Sequence, residues 1–213
     1  MDEIIDTIAK AQEKYTELWH VNEEDLAEEF EVSSSPIETL YNYVKANHLM
    51  NFKLWHTEDI ARRKDVPPVV IADCKYKIDK LNQMRTNFYE NIDTAITKLL
   101  LPELPDVCED IQNTETLGMT IDRLSILSLK IFHMNEQTQR TDTSFEKVKQ
   151  ASEKLDVLLE QKKSLVKAVK HLIKEYLSGK KRIASYYQFK MYNDPDLNPQ
   201  LYQNKGENNV DRK

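Results

Sequence analysis

The sequence predicts an all-α fold: a single helical bundle of about five long helices, organised around a mostly buried one near residues 114–134. Three observations predict it. Only three glycines and seven prolines punctuate 213 residues, fewer turn residues than strand-rich folds use. Between those breaks, apolar residues recur at helical spacing over long stretches. One stretch, TETLGMTIDRLSILSLKIFHM at 114–134, is apolar on almost every side, unlike an amphipathic surface helix. Its Ile121, Leu124, Ile126, Leu127, Leu129, Ile131 and Phe132 point all round at about 100° per residue, so neighbours must surround it.

The elements follow in order. Ile4, Ile5, Ile8, Ala11, Tyr15, Leu18 and Trp19 give residues 3–20 one apolar face. An acidic, then serine-rich stretch at 21–35 reads as a linker, so residues 1–34 form an N-terminal helix with its acidic connector. The helical domain spans 35–202, and 203–213 form a polar tail expected to be disordered. Ser35 and Pro36 start the second helix, with Glu38 three residues after the cap. It runs to the Asp65-Val66-Pro67-Pro68 stop, with the polar run Asn47–Asn51 as the place where it would break. In the third helix, 69–101, Ile78, Leu81, Met84, Phe88, Ile92, Ile96 and Leu99 form a core-facing stripe. Pro102 and Pro105 close it, and Thr114 or Thr116 caps the central helix. The last long helix, 142–178, repeats Val148, Ala151, Leu155, Leu158, Leu165, Val169, Leu172 and Tyr176 in heptad steps, interrupted at Lys162 and stopped at Gly179. That seam serves either a bundle partner within the chain or a homodimer.

The bulk numbers narrow the class. A net charge of −6 lacks the basic footprint of nucleic-acid binders, so no nucleic-acid partner is expected. The N-terminal MDEIIDTIAK has no charged-then-apolar signal pattern, and no apolar run approaches the roughly 18 residues of a membrane span. A soluble, cytoplasmic protein is expected, with Cys74 and Cys108 as isolated buried thiols.

Charge on buried helical faces marks the positions that can carry chemistry. Arg85 falls inside the apolar stripe of the third helix, with Asn82 and Tyr89 at its edge. A guanidinium there needs a carboxylate, carbonyls or an anionic ligand. Asp79, Thr86, Glu90, Asp93 and Thr97 lie opposite and read as a solvated face. Leu40, Val44, Asn51, Trp55, Glu58 and Arg62 share one face that turns from apolar to polar, as a wall running from core into cleft would. His56 and Asp59 stand beside it. On the central helix Glu115, Asp122 and His133 project near one angle, but Asp122 and His133 are roughly 16 Å apart along the axis, too far for one shared ion. Asp122 with Arg123, and Lys130 with His133, either line a groove or form interhelical ion pairs. No ligand spacing such as HExxH is present and no metal ligand is assigned; nor is there a P-loop, GxGxxG, GxSxG or CxxC, so nucleophilic catalysis has no local signature and the cofactor is unknown. The ENID at 90–93 carries only a lone ExxD of the type that holds magnesium in all-α nucleotide pyrophosphohydrolases.

Four blocks, NFKLWHTEDIARR, IDKLNQMRTNFYENID, TETLGMTIDRLSILSLKIFHM and YYQFKMYNDPDLNPQLY, in this order and spacing resemble the bacterial family filed as domain of unknown function 4254, over roughly residues 35–202. The family carries no established activity to transfer. The resemblance implies that Trp55, His56, Glu58, Asp59, Arg62, Asn82, Arg85, Glu115, Asp122, Arg123, Lys130, His133, Lys190, Tyr192 and Asn193 belong to its motif. It also implies an association with cell-surface glycan synthesis.

The expectation is a polar inter-helix cleft for an anionic small molecule, a phosphorylated sugar or nucleotide. Arg62, Arg85, Arg123 and Lys130 would hold the anion, since guanidinium forks match phosphate. His56 or His133 would act as acid/base, oriented by Asp59 or Asp122, with Trp55, Glu58, Asn82, Glu115 and Lys190 lining the site. Two alternatives remain open: a non-catalytic helical scaffold using the 148–176 seam, and a metal-dependent phosphohydrolase built on helix carboxylates.

Overall fold

The computed structural model describes residues 1–22 and 33–203. Among these are five long helices and no strand: α1 (Asp2–Val21), α2 (Pro36–Ala61), α3 (Pro68–Leu100), α4 (Leu117–Thr138) and α5 (Phe145–Leu177). Short turns follow at Leu101–Glu103 and Met191–Asn193, with a last helical turn, α6, at Pro199–Tyr202. No described helix is long and apolar enough to cross a membrane. The acidic connector, apart from its ends, and the polar tail lie outside the described residues.

Local chemistry sets the boundaries. Ser35 accepts the Glu38 N–H at the start of α2, Thr116 that of Met119 at the start of α4, and Ser144 that of Lys147 at the start of α5. α2 ends at Ala61 with Arg62 as its C-cap, short of the stop at 65–68, and Pro67 and Pro68 open α3. Gly179 stops α5 with φ +74°, and its carbonyl accepts the Glu109 N–H at 2.8 Å. α2 is not broken at Asn47–Asn51. Both asparagines stay helical and turn their side chains inward, so what reads as a break is a polar inner face.

The short α2–α3 and α4–α5 connections make each pair an antiparallel hairpin. α4 touches all four other long helices, which is why its sequence is apolar all round. α1 runs alongside α2 and α4: Gln12 reaches Ile121, Thr16 meets His48, and His20 meets both His56 and His133. The α5 seam is spent inside the bundle, with Ala151, Val169, Leu172 and Tyr176 buried against α1, α4 and their neighbours.

Two apolar clusters form the core. One holds Ile5, Ile8, Leu40, Ile92, Ile96, Leu117, Ile121 and Leu124; the other holds Trp19, Leu49, Met50, Phe52, Leu81 and Leu129. Between them runs a buried polar layer to which four helices contribute Gln12 and Thr16, Asn47, His48 and Asn51, Asp122, Ser125 and Ser128, and Lys162, with the half-buried Arg85 of α3 at its edge. Buried polar groups persist only when hydrogen-bonded, and here the bonds chain together. Asn51 donates to Ser125 Oγ (2.9 Å) and Ser125 to His48 Nδ1 (2.7 Å). His48 Nε2 donates to Thr16 Oγ1 (2.9 Å), whose hydroxyl donates to the Gln12 carbonyl (2.8 Å). Burial pushes the His48 imidazole down to about 3, so it is neutral, as this relay requires. The heptad interruption at Lys162 is an ammonium inserted into the layer, bonded to Glu13 Oε1 (2.5 Å) and Ser128 Oγ (3.0 Å). The two cysteines are free; Cys74 is buried as expected, but Cys108 is exposed on the connector after α3.

Candidate functional site

The layer opens to solvent between α2, α3 and α4. A cleft of about 330 Å³ is lined there by Asn51, Trp55, Glu58, Asp59, Arg62, Asn82 and Arg85, with Leu54, Ile126 and Leu129 at its apolar side. Its floor is Asp122, whose Oδ1 accepts the side-chain amides of both Asn47 and Asn51 at 2.9 Å. The Arg85 Nε stands 3.2 Å from the same oxygen as an ion pair, without the alignment of a hydrogen bond. Its Nη1 makes a long bond of 3.4 Å to Asn82 Oδ1. At the rim Glu58 and Arg62 pair at 3.1 Å on the α2 surface, both well exposed. The C-terminal segment then crosses α3. The Gln188 N–H donates to Glu90 Oε1, and Lys190 Nζ donates to the Asn82 carbonyl at 2.7 Å. Burial first, and the Arg85 charge next, lower the Lys190 pKa.

Of the residues that the sequence nominates, the structure therefore gathers Trp55, Glu58, Asp59, Arg62, Asn82, Arg85, Asp122 and Lys190 around one cleft. Others go elsewhere. Arg123 and Lys130 project from the far side of α4 into an apolar groove of about 870 Å³ against Val157, Leu165 and Ala168 of α5, so they cannot hold an anion in this cleft. Glu115 precedes α4, beyond its regular turns, and pairs with Arg123, so it leaves the angle it would share with Asp122 in a longer helix. Asp122 is bound to Arg85 and two amides and does not orient a histidine. Tyr192 and Asn193 lie exposed in the Met191–Asn193 turn.

His56 and His133 sit beyond Trp55, in an aromatic cluster that also holds His20, Phe52 and Phe132. The His133 ring stacks flat on Trp55 with centroids 4.7 Å apart, and His20 stacks on Phe132 at 4.0 Å. His133 Nδ1 bonds Glu136 Oε2 at 2.8 Å, and His20 Nδ1 bonds the Thr16 carbonyl at 2.7 Å. Burial lowers the pKa of His20 and of His56; the charges of the neighbouring histidines push both the same way.

The carboxylates of ENID take structural partners. Glu90 holds the C-terminal segment, and Asp93 is no part of a solvated face: its Oδ1 accepts the Gly118 N–H at 2.6 Å at the start of α4. Burial pushes Asp93 up to about 6 against the hydrogen bonds from Thr116 and Gly118. Among the described residues, the one group of three or more His, Cys, Asp or Glu side chains close enough to share a cation is His20, His56 and His133, and it contains no carboxylate.

A family model described as a protein of unknown function (DUF4254) matches residues 41–184, well over half of the chain. The chain belongs to the DUF4254 family. The cleft residues on α2, α3 and α4 lie inside the matched range of this family, whereas His20 and Lys190 lie outside it. Neither the curated proteins nor the solved structures contain a match.

Sequence reading missed His20, Asn47, His48 and Ser125, and placed Asn51 on the cleft wall without its partners Asp122 and Ser125. Their partners lie on other helices, 32 to 77 residues away for the layer's bonds, and helical projection has no view of such distances.

Proposed function

We propose that the cleft between α2, α3 and α4 binds an anionic small molecule carrying a phosphoryl group, a phosphorylated sugar or a nucleotide. The observation that carries this reading is the unequal use of charge at the cleft. Asp122 Oδ1 is shared by Asn47, Asn51 and Arg85, while the Arg85 fork has five N–H donors and so few good acceptors. Arg62 lines the opening from α2, and Lys190 of the C-terminal segment stands beside it on the Asn82 carbonyl. Guanidinium groups pair bidentately with phosphoryl oxygens, and a partly desolvated site strengthens each such bond. Trp55 offers an aromatic wall for a sugar or base ring, and Glu58 and Asp59 offer acceptors for hydroxyl groups.

The test is thermal unfolding with inorganic phosphate, sugar phosphates and nucleotides, on the wild type and on Arg62→Ala and Lys190→Ala. Both side chains can be removed without opening the core, so both variants should melt near the wild type. A compound that binds the native state raises the wild-type Tm and loses that effect in the two variants. If no phosphorylated compound at millimolar concentration raises Tm, or if both variants respond as the wild type does, the reading is wrong.

A further inference from the structure

We propose that His20, His56 and His133 form a three-imidazole site for a divalent transition-metal ion, zinc being the best match. One ring nitrogen from each of the three lies within 4.8 Å of the others. The Nε2 of every one of them is buried and without a hydrogen-bond partner. Two tautomers follow from the partners on the other side of the rings. A carbonyl and a carboxylate only accept, so the Nδ1 of His20 carries a proton for Thr16 O, and the Nδ1 of His133 one for Glu136. In a neutral ring the Nε2 then presents a lone pair. Burial, and then the neighbouring histidine charges, lower the pKa of His20 and His56, in the direction of the neutral form that binds a metal.

A packed aromatic cluster is the competing account. It explains the stacking of His133 on Trp55 and of His20 on Phe132. It leaves three buried ring nitrogens without a partner, facing a cage of Phe52, Trp55 and Phe132, where any apolar residue would be cheaper. A shared cation satisfies all three at once. The Thr16 carbonyl and Glu136 carboxylate are the outer partners that orient metal-bound histidines. The three helices run the same way, and each histidine lies within about a turn and a half of a C-terminal end, where the helix dipole favours positive charge. Around a tetrahedral ion with bonds of about 2.0 Å, nitrogens stand roughly 3.3 Å apart, so each ring must move inward by about 1 Å or less. Imidazole suits zinc, cobalt, nickel and copper, whereas magnesium and calcium demand oxygen ligands. Three protein ligands leave a fourth coordination position for water or a small ligand. This inference stands whether or not the neighbouring cleft binds an anion.

The experiment uses untagged, chelator-dialysed protein titrated with zinc in competition with a chromophoric chelator. One equivalent should bind with a Kd below about 1 μM, with magnesium inert. Cobalt should give the visible absorption of four-coordinate imidazole ligation. In the wild type, NMR should show the ring signals of His20, His56 and His133 moving with the metal while His48 and His171 stay. His20→Phe, His56→Phe and His133→Phe keep an aromatic ring and should each weaken binding at least 100-fold; Glu136→Gln should weaken it about tenfold. Less than one equivalent in the wild type, ring signals that do not move, or wild-type affinity in two of the folded phenylalanine variants would overturn the proposal.

Discussion

Arg85 Nε stands 3.2 Å from Asp122 Oδ1, the oxygen that already takes the amide hydrogens of Asn47 and Asn51. The carboxylate thus keeps two donors when the arginine is removed. Arg85→Ala should therefore cost about 1–3 kcal/mol, less than the roughly 3–5 kcal/mol of a fully orphaned buried charge. Asp122→Ala takes the ion-pair partner from the guanidinium and an acceptor from each amide at once, and should cost more. Urea unfolding of the two single variants and the double variant measures the coupling directly; equal costs with no coupling would refute this account.

Lys162 and Glu13 predict an asymmetry of another kind. Lys162→Met removes the buried ammonium and leaves Glu13, half-exposed, to water, so stability should change by less than about 1 kcal/mol in either direction. Glu13→Ala instead leaves the ammonium in the layer with only neutral partners, Ser128 and the Ala9 carbonyl, and should cost about 1–2 kcal/mol. Denaturant midpoints for the two variants decide it. A lysine variant worse than the glutamate variant would count against the argument.

His48 and Asp93 pull the pH dependence in opposite directions. His48 is held down at about 3, below its unfolded value of 6.5, so its contribution is complete above pH 6.5 and is lost as pH falls toward 3. For one proton the slope approaches about 1.4 kcal/mol per pH unit. Asp93 is held up at about 6 against 3.8 unfolded, so its contribution is complete below pH 3.8 and is lost as pH rises through 6. Stability differences from the wild type, measured at pH 4.5, 5.5 and 7, should therefore trend oppositely in His48→Gln and Asp93→Asn. Parallel trends would contradict both assignments.

Gly118 inverts a familiar rule. Alanine in place of a helical glycine ordinarily stabilises by about 1 kcal/mol. Here a Cβ would run into the Tyr89 carbonyl oxygen and come within 2.9 Å of the Asp93 carboxyl, which caps α4. Gly118→Ala should destabilise by about 2–3 kcal/mol by forcing α3 and α4 apart. Thermal unfolding of this single variant checks the sign.

The helices themselves were legible because proline, caps and apolar spacing are local. Ser35, Thr116 and Gly179 occupy the positions their chemistry predicts. The encirclement of α4 also followed from its own residues, and Arg85 was visible as a charge on a buried face with no local partner. What failed was long-range. Asn47 and Asn51 look like a helix break until Asp122, at least 71 residues away, is in place to receive them. Asp93 looks solvated until the start of α4 is laid over it. Arg123 and Lys130 look like members of the cleft because an all-round apolar helix does not say which neighbour each charge will face. His20 is a single histidine at the end of an amphipathic helix, and only the parallel arrangement of α1, α2 and α4 brings it to the other two.

The crossing of α3 by the C-terminal segment fixes an order of events. All five long helices are complete by Leu177, but Lys190 belongs to a stretch that leaves the ribosome afterwards. The bundle can close during synthesis while the cleft still lacks this cation. A protease acting on the exposed segment around Tyr187 and Phe189 would return the mature molecule to that earlier stage, with its five long helices in place and the Lys190 contact to Asn82 gone.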